Sequence, residues 1–156
     1  MPITVTVDVG FALDVKAKAS EAFALLSDVP TAASDIPKVD KLVDLGHGVY
    51  RWEMEKIGVG AVTLQTIYAC KYVSNKAKGT VVWTPVEGEG NARMGGSWTI
   101  KGNKKATHLV LEIQGGITLP LPGLMQMVVA PVVESEFERM TGHYVANVAK
   151  RLGGEV

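Results

Sequence analysis

The chain has 156 residues, of which 47% are hydrophobic and 21% are charged. This length and composition are typical of a single globular domain spanning 1–156, and they exclude an intrinsically disordered chain. Sixteen basic residues balance sixteen acidic ones, which argues against a nucleic-acid-binding protein, because such proteins carry a basic excess.

The sequence also limits the cellular setting and the redox chemistry. Cys70 is the only cysteine, which excludes an internal disulfide and a cysteine-rich zinc site. The first ten residues lack the positive stretch and apolar core of a secretory signal. The longest unbroken apolar run, 127–133, is far shorter than the ~20 residues that span a bilayer. We therefore expect a soluble, cytoplasmic protein.

The N-terminal segment alternates between apolar and other residues. From Ile3 to Val15 every second residue is apolar, and Thr4, Asp8 and Asp14 lie between. A period of two over thirteen residues predicts a long strand with one buried face.

Two short helices are predicted next. Ser20 is a suitable N-cap for the first, and Asp28 followed by Pro30 is a start signal for the second. Pro37 should end the second helix.

A period of two then returns and predicts six further strands near 39–45, 50–55, 62–72, 79–84, 92–100 and 108–113. Glycine-rich and asparagine-rich turns separate them, which is typical of an antiparallel meander.

The C-terminal part is predicted to be one long helix. Its apolar residues are three and four positions apart, namely Val133, Phe137, Met140, Tyr144 and Val148. Pro131 is expected at its start or at a kink, and Gly153-Gly154 is a fitting end.

These elements define an α+β protein in which a curved, seven-stranded antiparallel sheet wraps around the C-terminal helix, with two short helices between the first two strands. This order, with the segments SEAFALLSDVPTAASDIPKVDKL, GNARMGGSWTI and FERMTGHYVANVAKRL, resembles the SRPBCC superfamily, whose members have the helix-grip fold. That superfamily includes START lipid-transfer domains, polyketide cyclase/dehydrase-like proteins and coenzyme-Q-binding-like proteins. The resemblance implies a cavity between sheet and helix for a hydrophobic or amphipathic small molecule.

The candidate ligand-binding residues are those that the strand and helix patterns direct toward such a cavity, together with the apolar loop before the last helix. They are Tyr50, Trp52, Met54, Leu64, Tyr68, Val81, Trp83, Met94, Trp98, Leu109, Leu111, Leu121, Leu124, Met125, Phe137, Met140 and Tyr144. The tryptophans either line a cavity or fill the core. The loop is a lid, an edge that transiently touches a membrane, or a packed connector.

Ionisable residues give no catalytic signature. His47, His108 and His143 lack metal-ligand spacing, so no metal and no cofactor are expected. Glu136, Arg139 and His143 share a helical face, where paired surface charges are commoner than an acid–base group. Cys70 is expected to be a buried, inert thiol.

Three functions follow from these observations. The leading one is binding or carriage of a hydrophobic ligand that resembles a lipid, a polyketide or a quinone. The resemblance also implies an alternative, a cyclase, aromatase or dehydratase that uses the same cavity, so enzymatic activity is left open. The third is a protein-interaction module.

Overall fold

The structure, a computed structural model, describes residues 3–59, 62–103 and 105–156. Nine strands and three α-helices lie within these residues. In chain order they are β1 (Ile3–Val15), α1 (Ala19–Ser27), α2 (Val29–Asp35), β2 (Val39–Gly46), β3 (Val49–Met54), β4 (Ile57–Val59), β5 (Val62–Leu64), β6 (Ile67–Asn75), β7 (Thr80–Pro85), β8 (Ala92–Gly102), β9 (Thr107–Leu119) and, after a 3-10 turn at Gly123–Met125, α3 (Gln126–Arg151).

Seven strands form one antiparallel sheet in the order β1-β9-β8-β7-β6-β3-β2. The sequence prediction of a seven-stranded antiparallel sheet, two short helices and a long C-terminal helix is therefore confirmed. β1 pairs with β9 along its whole length, from Ile3 opposite Leu119 to Val15 opposite Thr107. Alternate residues of β1 are buried beneath α3, as the period of two predicted.

The expected single strand over 62–72 is wrong. β5 pairs only with β4 in a separate hairpin, and β6 begins at Ile67. The Asn91 side chain binds the backbone at the interruption: its Oδ1 accepts from the Ile67 N–H at 2.8 Å, and its Nδ2 donates to the Gln65 carbonyl at 2.8 Å. The Asn91 amide thus forms the hydrogen bonds with these backbone groups that a neighbouring strand would form in a continuous ladder.

Paired glycines lie in the interiors of β8 and β9. Gly95-Gly96 lie opposite Gln114 and Ile113, and Gly115-Gly116 lie opposite Met94 and Arg93 in the ladder. A Cβ atom on Gly96 would lie 2.8 Å from the Trp83 ring, so a side chain does not fit there. Glycine in a strand interior marks such a close approach.

The helix starts were predicted with mixed success. Asp28 caps α2, since its Oδ1 accepts from the Thr31 N–H at 3.3 Å. Ser20 does not cap α1, because the helix begins at Ala19, two residues earlier than predicted, and Lys18 holds the N-cap position without a side-chain bond. Pro131 lies inside α3 rather than at its start.

Contacts at its C-terminal end fix α3 to α2. Gly153 has φ +85°, and the Gly154 N–H donates to the Ala149 carbonyl at 2.7 Å, which ends the helix as predicted. The Arg151 Nε donates to the Asp35 Oδ1 at 2.6 Å, and Asp35 is buried. This ion pair seats α2 against α3, and α2 forms part of the site described next.

Candidate functional site

Two chambers lie between the sheet and α3. The inner chamber has a volume of about 70 Å³ and also touches α1 and α2. The outer chamber has a volume of about 50 Å³ and lies toward the ends of β3 and β6. Their walls are mainly apolar and aromatic, which is the usual character of a small-molecule site.

Four side chains line both chambers and form the partition between them: Tyr68, Met94, Phe137 and Met140. Met94 is buried on β8, whereas Met140 on α3 is half-buried. Methionine has three rotatable bonds and adapts to irregular space. The partition is therefore made partly of side chains that can move without a change in the backbone.

Aromatic rings supply most of the inner wall. Trp52 stacks on Tyr68 with ring centroids 6.2 Å apart. Tyr72 and Trp83 lie 5.8 Å apart. These offset and tilted arrangements are favourable for aromatic pairs, so the wall is defined in shape as well as apolar.

Trp98 on β8 and Tyr144 on α3 line the inner chamber from opposite sides. The Trp98 Nε1 donates to the Tyr144 hydroxyl at 3.2 Å, and the rings meet edge to face at 6.0 Å. The Tyr144 hydroxyl accepts in this bond, so its own proton is available toward the chamber.

The inner chamber disfavours negative charge. Burial raises the pKa of Tyr144 to about 12, and burial also raises the pKa values of Tyr68 and Tyr72 well above the usual range. The Cys70 thiol has a pKa raised to about 12 by burial, and it donates to the Met94 carbonyl at 3.0 Å. All these groups are neutral near pH 7 and act as hydrogen-bonding groups rather than bases.

One polar atom in the inner wall lacks a partner. Trp52 is 2% exposed, and its Nε1 makes no hydrogen bond within the described residues. Burial raises the pKa of Tyr72, and a weak hydrogen bond from the Trp52 indole lowers it by a smaller amount. The Tyr72 hydroxyl therefore lies close to this donor, although the two groups do not reach full hydrogen-bond geometry. An unsatisfied buried donor is costly and therefore informative.

Charged residues occur at the outer chamber. The Lys38 Nζ lies 2.8 Å from the Glu136 Oε2, and Arg139 pairs with the same carboxylate. Hydrogen bonds from Arg139 and Lys38 lower the pKa of Glu136 from 4.5 to about 2. Lys38 has a φ of +63°, an uncommon value for a residue with a side chain. The expected pairing of Glu136 with Arg139 is confirmed, and His143 is exposed.

Nine of the seventeen candidate residues line the chambers: Trp52, Met54, Tyr68, Trp83, Met94, Trp98, Phe137, Met140 and Tyr144. The other eight lie elsewhere. Val81, Leu109 and Leu111 fill the core. Leu64, Leu121 and Met125 pack in a second core cluster, and Tyr50 packs edge to face on Tyr72. Leu124 is 92% exposed.

Sequence reasoning missed several wall residues. The short helices contribute Leu26, Val29, Ala32 and Ile36, and α3 contributes Thr141. Leu26 lies on α1, Val29 and Ala32 lie on α2 and Ile36 follows α2, so no single helical periodicity in the sequence marked them as one face. Tyr72 also lines the inner chamber and was not among the predicted ligand-binding residues.

A larger depression of about 1080 Å³ lies on the opposite face of the sheet. Its wall includes exposed polar residues of β1 and β9, such as Thr4, Glu112, Gln114 and Thr118. This groove is open to solvent and cannot enclose an apolar molecule, so the two smaller chambers are the better candidate for a hydrophobic ligand.

Groups of His, Cys, Asp or Glu that could hold a metal ion do not occur in 3–59, 62–103 and 105–156. No helix within those ranges is long and apolar enough to cross a bilayer.

Comparison with solved structures places this architecture among known folds. The chain superimposes on the Zhui aromatase/cyclase from Streptomyces sp. R1128 with a TM-score of 0.69 and 16% identity, covering 94% of this chain and 93% of that one. It superimposes on a START superfamily protein from Mycobacterium smegmatis with a TM-score of 0.68 and 15% identity, covering 93% and 96%. A STAR-related lipid transfer protein from Xanthomonas axonopodis gives a TM-score of 0.64 and 13% identity, covering 93% and 85%.

No protein-family profile and no curated protein sequence match the chain. At identities this low, structural likeness establishes the fold alone. The chain has a START-like helix-grip fold.

Proposed function

We propose that residues 1–156 act as one ligand-binding domain that holds a small hydrophobic or amphipathic molecule between the sheet and α3. The observation that supports this most strongly is the pair of adjoining apolar chambers, separated only by side chains. Two of the structural neighbours, an aromatase/cyclase and a STAR-related lipid transfer protein, support the same class of ligand.

The volumes define what binding requires. The chambers of about 70 and about 50 Å³ together are smaller than the ~150 Å³ cavity that holds benzene in another protein. A larger ligand must displace the partition. Met94 and Met140 are suited to this movement, because an unbranched thioether changes rotamer at little cost.

Native mass spectrometry of protein purified without detergent tests the proposal. We expect a lipophilic adduct bound one to one, which solvent extraction then identifies by chemical class. Protein that carries no adduct and takes up no added aromatic or lipid probe would contradict a binding role.

The alternative is an enzyme of the cyclase, aromatase or dehydratase type. The protonated hydroxyls of Tyr68 and Tyr144 favour it, because they can stabilise the developing charge of a carbonyl substrate. The described wall of the inner chamber includes no histidine or carboxylate as a base. Binding without proton abstraction therefore fits this wall better.

We also propose that the end of the molecule near the start of α3 transiently contacts a membrane. Leu124 is 92% exposed, Met127 88% and Val128 59%. No charged residue occurs between Glu112 and Glu134. Exposed apolar side chains on an uncharged segment suit insertion into the interfacial region of a bilayer, where a hydrophobic ligand would enter or leave.

A further inference from the structure

The wall of the inner chamber contains a buried donor without a well-formed hydrogen bond. Trp52 belongs to β3, its side chain is 2% exposed, and its Nε1 makes no hydrogen bond of good geometry among the described residues, with the Tyr72 hydroxyl as its only weak neighbour there. Indole can donate but cannot accept, so only an acceptor can satisfy this group. A water molecule or a ligand oxygen would satisfy it.

The groups around this donor are neutral. Tyr68 stacks on the Trp52 ring at 6.2 Å, and Tyr72, which packs against Trp83 at 5.8 Å, lies near the indole N–H. The inner chamber is lined by no Lys, Arg, His, Asp or Glu among the described residues. The charged residues Lys38, Glu55 and Glu136 occur only at the outer chamber.

We infer that the inner chamber selects ligands whose buried end is uncharged and carries a hydrogen-bond acceptor, and that the Trp52 indole N–H donates to that acceptor. This inference rests on the proposed binding function and adds the polarity and the orientation of the ligand to it. A ketone, aldehyde or ether oxygen meets the requirement. A carboxylate does not, because the wall offers no positive charge to balance its desolvation.

Charge also sets the direction of the ligand. The end that carries a neutral oxygen lies in the inner chamber, the apolar middle replaces the partition, and any charged group faces Lys38 and Glu136. Trp52 is then a residue that determines specificity, and the rest of the aromatic wall provides apolar contact.

The test uses acetophenone, ethylbenzene and benzoate, which share one ring and differ in the polar group. Dissociation constants are measured for the wild type, for Trp52→Phe and for the control Tyr50→Phe, which alters an aromatic residue of the same strand that lines neither chamber. The acetophenone-to-ethylbenzene ratio of association constants should fall about three- to tenfold in Trp52→Phe, as expected for the loss of one hydrogen bond. It should be unchanged in Tyr50→Phe. Comparing ratios cancels the different solubilities of the probes.

A second measurement needs no altered binding site. The chain has three tryptophans, so its proton NMR spectrum has three indole N–H resonances. The variants Trp83→Phe and Trp98→Phe are used only to assign these resonances by elimination. Acetophenone should move the Trp52 indole proton downfield, and ethylbenzene should not. This keeps the inference testable if Trp52→Phe fails to fold.

Each outcome has one meaning. A lower ratio in Trp52→Phe alone, with the downfield shift and with no benzoate binding at pH 7, supports the inference. If both neutral probes bind but the ratio is the same in every variant, or if benzoate binds as tightly as acetophenone, the inference is overturned and the proposed function survives. If no probe binds, both are overturned.

Discussion

Replacing Met140 by alanine should join the two chambers. Met140 lines both of them, so losing its side chain beyond Cβ opens the partition. The substitution removes three methylene-sized groups, each of which contributes ~0.8 kcal/mol when fully buried. Because Met140 is only half-buried, their combined contribution is about 1 kcal/mol. The added void costs ~24 cal/mol per Å³ and contributes about 1 kcal/mol more. The free energy of unfolding should fall by about 2 kcal/mol.

An apolar ligand should reverse much of that loss. At ten times its dissociation constant, ethylbenzene should restore ~1.4 kcal/mol of the unfolding free energy. It should bind Met140→Ala more tightly than the wild type, because no side chain has to be displaced. Urea denaturation with and without ethylbenzene measures both effects.

The matched control is Val148→Ala, on the same helix. Val148 is 1% exposed and lines neither chamber, so its truncation destabilises the core without opening the partition. If one fixed concentration of ethylbenzene stabilises Met140→Ala no more than Val148→Ala, Met140 does not separate the two chambers and the reasoning is refuted.

Three further predictions concern the membrane-facing end, the outer chamber and the glycine pair. The double variant Leu124→Asp/Met127→Asp should abolish flotation of the protein with phosphatidylcholine vesicles. Because both side chains are exposed, its unfolding free energy should stay within ~0.5 kcal/mol of wild type. Unchanged flotation would contradict the proposed membrane contact. The pKa of Glu136 is lowered from 4.5 to about 2, so its ion contacts stabilise the folded protein above pH 4.5 and lose this effect as the pH falls through about 2. Glu136→Gln should therefore unfold more easily than wild type in urea at pH 6, with the difference shrinking toward pH 2; a constant difference would show that Lys38 does not act through the ionised carboxylate. Gly96→Ala should lower the melting temperature by several degrees and change the near-ultraviolet circular dichroism spectrum. The reason is that the new methyl group meets the Trp83 ring and a backbone carbonyl. An unchanged spectrum would contradict the close approach of Gly96 to the Trp83 ring.

The sequence was a good guide to the sheet because strand periodicity is a local property. Alternation from Ile3 to Val15 predicted the buried face of β1, and the hairpins follow the glycine and asparagine turns. It was a poor guide where a distant side chain decides the structure. At the break between β5 and β6 the backbone is hydrogen-bonded by Asn91, which lies more than twenty residues away along the chain.

The position of the cavity was harder to predict than its existence. Periodicity assigns Leu109, Leu111 and Met94 to the same inward face, but it does not say where α3 leaves space above them. Leu109 and Leu111 are completely covered by the core, whereas Met94 borders both chambers. This difference arises from the packing of helices and strands that are distant in sequence.

The polar features of the site were also invisible in the sequence. The Trp98–Tyr144 hydrogen bond joins residues of β8 and α3, and the unpartnered Trp52 N–H is defined by its surroundings rather than by its neighbours in the chain. Residue type alone indicated aromatic contact and nothing about which polar atoms are satisfied.

Methyl NMR of the methionines tests the central claim most directly. Met94 and Met140 form part of the partition, whereas Met127 is 88% exposed at the start of α3 and serves as an internal control. Titration with ethylbenzene should shift the Met94 and Met140 methyl resonances to saturation, because an aromatic ring that enters the chambers lies against them. The Met127 resonance should stay in place. Shifts confined to Met127, or no saturable shift at the partition, would contradict binding between the sheet and α3.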